Sequence, residues 1–209
     1  MNKISVSLVT CLVVIRALSP QEREAVEEFG RKLREDVQPT ASDIKLLSYS
    51  MKMEQLAEKY KNGCLHGSPD PILNPEYQDT QMLFWFDSGQ PLPFSDYLKD
   101  ILEQKQEYDF DKKRCRSTCV HYLQFVYANA TEVGCATHVC RIDDASAANS
   151  YHVALCVLRK KYQRGRRPYY RGPSCSQCPS GYECFRRQCK QIDSAAAIKT
   201  TSAIHLSLV

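Results

Sequence analysis

Cysteine carries most of the chemistry available to this chain, with 11 among 209 residues, far more than a cytosolic protein usually keeps reduced. Four of them, Cys175, Cys178, Cys184 and Cys189, follow a C-x2-C-x5-C-x4-C spacing. That spacing suits either tetrahedral zinc ligation or two disulfides closing a small module. In an oxidising compartment thiolates are oxidised more readily than they are held as ligands, so disulfides are the expected state. Histidine, suited to acid-base or metal work, occurs five times, once in the cysteine-led run Cys119-Val120-His121-Tyr122. No serine or cysteine stands in an elbow beside a base, so nucleophilic catalysis is not expected. Asn129-Ala130-Thr131 is the single N-glycosylation sequon.

The envelope that must hold these residues begins with Lys3 and an uncharged, mostly apolar run over residues 4–15, which reads as a secretory leader. It falls short of the ~20 residues that span a bilayer. Residues 1–17 are expected to be removed, taking Cys11 with them and leaving ten cysteines, enough for five disulfides. Charge then divides the chain. Residues 18–158 hold 15 Lys and Arg against 22 Asp and Glu, whereas residues 159–190 hold ten against one. A main domain over 18–160, a basic cysteine-rich hinge over 161–190 and a flexible tail over 191–209 follow as the expected organisation.

Within the main domain, Ser19-Pro20-Gln21-Glu22 reads as a capped helix start with Ala25, Val26, Phe29 and Leu33 on one face. Met53, Leu56, Ala57 and Tyr60 recur at helical spacing, and Ser95 can cap a third helix with Tyr97, Leu98, Ile101 and Leu102 as its apolar stripe. Residues 132–141 and 151–158 read as strands joined by a turn-rich stretch over 143–149. A hairpin centred in that turn sets Cys135 directly opposite Cys156, close enough for a cross-strand disulfide. Residues 77–94 read as a Pro- and Gly-containing loop carrying Phe84, Trp85, Phe86 and Phe94. Helices around an antiparallel sheet make an α+β fold, an α-β-α sandwich with a small disulfide-rich C-terminal hinge.

The run Cys119-Val120-His121-Tyr122-Leu123-Gln124-Phe125-Val126-Tyr127 resembles the signature of the CAP superfamily, which includes cysteine-rich secretory proteins, insect venom antigen 5 and plant pathogenesis-related proteins. Pro39-Thr40-Ala41-Ser42, Glu132-Val133-Gly134-Cys135, Cys140 and the segment from Pro173 to Cys184 extend the likeness. The resemblance implies disulfides Cys64–Cys140, Cys115–Cys119, Cys135–Cys156, Cys175–Cys184 and Cys178–Cys189. It also implies a cleft of two histidines, His66 and His121, with two acidic residues. Gln81 and Gln104 stand at the two acidic positions, with Glu103 beside the latter. Glutamine can be neither a general base nor a negative metal ligand, so no cofactor is required. A divalent metal such as zinc would have His66 and His121 alone, without the third protein ligand usual in catalytic zinc sites.

The expectation is a secreted protein that binds an extracellular target without catalysis. The target would be a partner or host protein, or a sterol or fatty acid met by Phe84, Trp85, Phe86 and Phe94, as some members of the resembled family do. Arg159, Lys160, Lys161, Arg164, Arg166 and Arg167 form a basic stretch that in a secreted chain meets sulfated glycans or anionic head groups rather than nucleic acid. The alternative is a metal-dependent hydrolase in which Glu103 replaces the missing carboxylate.

Overall fold

Helix α1 (Pro20–Glu35) starts where the Ser19 hydroxyl accepts the Glu22 N–H and the Glu22 carboxylate accepts the Ser19 N–H at 2.8 Å, the reciprocal box read from the sequence. The computed structural model describes residues 16–60, 64, 67–88, 92–141 and 150–192. The expected leader apart from Arg16 and Ala17, the tail beyond Ile192, the 143–149 turn and His66 lie outside the described residues.

Strands β6 (Glu132–Arg141) and β7 (Ser150–Arg159) form the central hairpin, with Cys135 facing Cys156 and bonded to it at a Cα separation of 4.1 Å. Strand β3 (Thr80–Asp87) pairs antiparallel with the other side of β7. The stretch expected as a loop is therefore a strand over its first half. Its aromatic residues fit a pleated, half-buried surface, and the Pro and Gly residues cluster only beyond it. Two short strands complete the sheet on β6, β1 (Arg16–Ala17) antiparallel and β2 (Ser48–Tyr49) parallel.

Alternation along the strands sends side chains into two separate cores. Leu83, Trp85, Val133, Cys135, Ala154, Cys156 and Leu158 pack toward α1, α3 (Phe94–Glu107) and α4 (Val120–Phe125). Met82, Ala136, Leu155 and Val157 pack on the opposite face against α2 (Met51–Lys59). The result is the expected three-layer arrangement. Helix α3 begins two residues earlier than the sequence implied, with Pro93 rather than Ser95 at the cap position and no side-chain cap bond there.

A small hairpin, β4 (Tyr108–Asp109) and β5 (Arg114–Cys115), precedes the Cys115–Cys119 disulfide. The Cys64–Cys140 bridge ties the region after α2 to β6. Beyond β7, bridges Cys175–Cys184 and Cys178–Cys189 staple β8 (Tyr182–Phe185) and β9 (Gln188–Gln191). This segment is docked by the backbone, with Cys189 N–H on Ile44 O at 2.8 Å and Leu46 N–H on Cys189 O at 2.9 Å. The Arg186 guanidinium forks between Glu28 and Glu35 of α1. The sign change along the sequence is thus a complementary contact in space.

Candidate functional site

The N-terminal turn of α4 presents backbone N–H groups, and its cap residue Cys119 offers no side-chain oxygen to them. Gln104, reaching across from α3, does so instead. Its Oε1 accepts the His121 N–H at 2.9 Å and the Tyr122 N–H at 3.4 Å. One turn earlier on the same helix, Asp100 receives three donors on Oδ2: Gln104 Nε2 at 2.8 Å, Trp85 Nε1 at 2.9 Å and His121 Nδ1 at 3.1 Å. The Trp85 and His121 rings meet at 4.8 Å between centroids.

This geometry sets the protonation states. Burial works against the Asp100 charge, yet the donors from Trp85, His121 and Gln104 outweigh it and hold the carboxyl below its usual value. Burial also lowers the His121 pKa, with Asp100 opposing the shift. A neutral imidazole therefore donates Nδ1–H to Asp100 and keeps its lone pair on Nε2. Because the folded imidazole binds a proton less readily than an unfolded one at 6.5, acidification from that value down to the folded pKa costs native-state stability. Asp100→Asn removes the opposing charge and is expected to lower the His121 pKa further, read by NMR titration of its ring nitrogens. An unchanged value would show that the Oδ2 contact is not made.

The expected site residues are distributed as follows. Gln104 bonds the His121 backbone. Gln81 is buried, but its amide donates to Gln124 O at 3.3 Å and accepts the Tyr162 N–H at 2.8 Å, tying β3 to α4 and to the segment after β7. It lies four strand residues from Trp85, a run of ~13 Å. Glu103 is exposed, and helical geometry turns it by about 100° from Gln104. The carboxylate beside the imidazole is Asp100 rather than Glu103. Asp100 was missed by sequence reasoning, although its i, i+4 spacing from Gln104 was a usable signal.

The four aromatic candidates do not form one lip, because strand pleating divides them. Trp85 and Phe94 are buried with Tyr97 in the core. Phe84 and Phe86 lie on the other face in a row from Tyr60 through Phe84 and Phe86 to Tyr151, with centroid spacings of 5.9, 6.2 and 6.3 Å. Phe86 is 41% exposed.

Residues 21–158 match the family model described as CAP, the cysteine-rich secretory protein family. The chain belongs to this CAP family. Human Peptidase inhibitor 16 is 27% identical over 185 residues, which cover 86% of this chain but 38% of that protein. The chain thus spans well under half the length of that curated relative. The crystal structure of Na-ASP-1 superposes with a TM-score of 0.68 at 16% identity, covering 90% of this chain and 51% of the other. That of NaASP2 with Zn2+ superposes at 0.62 and 17% identity, covering 83% and 97%. At such identities the likeness is one of CAP fold. Among the described residues of this CAP chain, no group of three or more His, Cys, Asp or Glu side chains is placed to hold a metal ion. His66, the other histidine of the expected pair, lies outside those residues.

Proposed function

We propose that this CAP-family chain works outside the cell by binding a target without catalysis. The target is a hydrophobic small molecule of the sterol or fatty-acid kind, or a partner protein. One observation carries the reading: where a second acidic group would face His121, Gln104 engages both ends of its amide in capping α4 and bonding Asp100. A side chain committed in this way supports a held scaffold rather than a proton-transfer pair. The ladder running from buried Tyr60 through partly buried Phe84 to exposed Phe86 supports an apolar contact surface, since its exposed end can take a ligand's hydrocarbon face. Five disulfides agree with an oxidising, extracellular setting. Among the described residues no helix is long and apolar enough to cross a membrane. The alternative hydrolase needs Glu103 beside the histidines, and that residue is exposed.

Native mass spectrometry with lipid extraction of the protein secreted by eukaryotic cells tests this reading. The expected result is an intact copurifying lipid that is lost in Phe86→Ser. Recovery of a hydrolysed product, or of zinc that disappears in His121→Ala with no lipid present, would overturn it in favour of the hydrolase.

A further inference from the structure

Two basic segments distant in sequence meet on one surface, and Phe110 is where they join. The Arg167 and Arg171 guanidinium carbons lie over its ring at 5.1 and 5.3 Å, and Tyr169 stacks on it at 5.0 Å. Arg167 also donates to the Phe110 and Asp111 carbonyls at 3.3 and 3.4 Å, and Arg171 pairs with the Asp111 carboxylate. The segment after β7 is thereby fastened to the β4–β5 turn, which carries its own run of cations, Lys112, Lys113 and Arg114.

Three acids of the β4–β5 region already face cations, while Asp43 takes the Tyr170 N–H at 2.8 Å. Asp109 faces Lys112 at 3.1 Å, Glu107 faces Arg116 at 3.8 Å, and Asp111 takes Arg171. Lys113 and Arg114 on one segment, and Arg164 and Arg166 on the other, are exposed and carry no carboxylate partner among the described residues. Each of these pairs lies within a few residues of the Phe110 joint.

The stretch from Arg159 to Arg167 is thus not one patch. Its first residues lie at the other end, where Arg159 faces Glu132 at 3.6 Å and Lys160 pairs with Asp79. There Arg159, Lys161 and Lys52 line a groove of ≈ 700 Å³ together with Glu76 and Asp79, so its charge is mixed.

We infer that the surface formed by Lys113, Arg114, Arg164 and Arg166 binds a linear sulfated polysaccharide. A guanidinium fork can donate to two oxygens of one sulfate at once, and a repeating polyanion can engage both segments together. A bilayer would also need large apolar side chains to insert, and among the described residues of these two segments the exposed one is Tyr170. The inference rests on the reading of the chain as an extracellular binding protein. Its test leaves Phe86 and His121 untouched, so lipid binding and glycan binding can fail separately.

The experiment measures heparin affinity and salt-dependent elution of the whole secreted protein, with a sulfonate resin and phosphatidylserine/phosphatidylcholine vesicles in parallel. Arg114→Ser/Arg166→Ser removes one cation from each segment, and Lys52→Ser/Lys161→Ser removes the same net charge from the mixed groove. Retention on heparin beyond the sulfonate resin is expected, with affinity about tenfold weaker in the first variant and little changed in the second. Equal loss in both variants, retention no better than on sulfonate, or stronger partition to the vesicles than to heparin would overturn the inference.

Discussion

Gly134→Ala is expected to prevent recovery of folded, secreted protein. A Cβ at this position in β6 would stand 2.1 Å from Glu54 N, 2.6 Å from Met53 C and 2.6 Å from Ser50 O, whereas carbon contacts need about 3.5 Å. All three atoms are backbone, so no side-chain rotation relieves the clash. The first turn of α2 would have to lift from the sheet. That turn is capped by Ser50 and holds Met53 fully buried against the strands. It also carries the Glu54 carboxylate, buried and gripped by Arg23 at 2.6 and 2.8 Å and by the Tyr49 hydroxyl. Ordinary overpacking costs about 1–3 kcal/mol. With backbone on the opposing side and a buried ion pair behind it, a loss above about 4 kcal/mol is expected, a large share of a typical domain's stability. The check is the secreted yield and the denaturant midpoint; a midpoint within about 1 kcal/mol of the parent would refute the argument.

Arg34→Met is expected to cost nearly as much for a polar reason. Arg34 is 1% exposed and donates to Phe125 O at 2.7 Å, Tyr127 O at 2.8 Å and Ala130 O at 2.9 Å. Those carbonyls belong to the last residue of α4 and the turn after it, where a helix carries partial negative charge. Burial lowers the guanidinium pKa to about 9, with Asp43 opposing from a distance, so the group stays charged at neutral pH. Methionine matches the stem's volume but leaves three carbonyls without this donor. At about 1–3 kcal/mol for each unsatisfied group, a loss of about 4 kcal/mol follows. Arg34→Lys keeps the charge but not the spread of the fork, and should fall between the two. Amide exchange should quicken over residues 126–131, including the turn that displays the sequon residue Asn129, which is exposed between buried Ala128 and Ala130. Unchanged exchange there together with an unchanged midpoint would count against the three-carbonyl grip.

Both effects act on the candidate site through the elements that frame it. Gly134 governs how closely α2 and β6 approach, while Arg34 holds the end of α4 whose first turn carries His121. Neither residue has a sequence signature of its own. A glycine within a strand reads as a weak spot, and an arginine near a helix C-terminus reads as a solvated charge.

What the letters alone determined was local or periodic. The capping box at Ser19 and Glu22 needs partners three residues apart, so it was legible. The Cys135–Cys156 bridge followed from counting outward from a turn, because antiparallel pairing is linear in residue number. The layered α+β fold followed from alternating and helical apolar periods, and the family from the run around His121.

Tertiary structure alone decided the rest. Residues 80–87, whose aromatic run suits a pleated surface, became a strand because β7 offered a free edge to pair with, and no local pattern announces that partner. Asp100 reached His121 and Trp85 across gaps of 21 and 15 residues, and Arg34 reached its carbonyls across gaps of 91 to 96. The basic segments merged only where Arg167 and Arg171 settled on Phe110. Such contacts depend on how whole elements stack, and stacking is set by the sum of burial over many residues rather than by any short pattern.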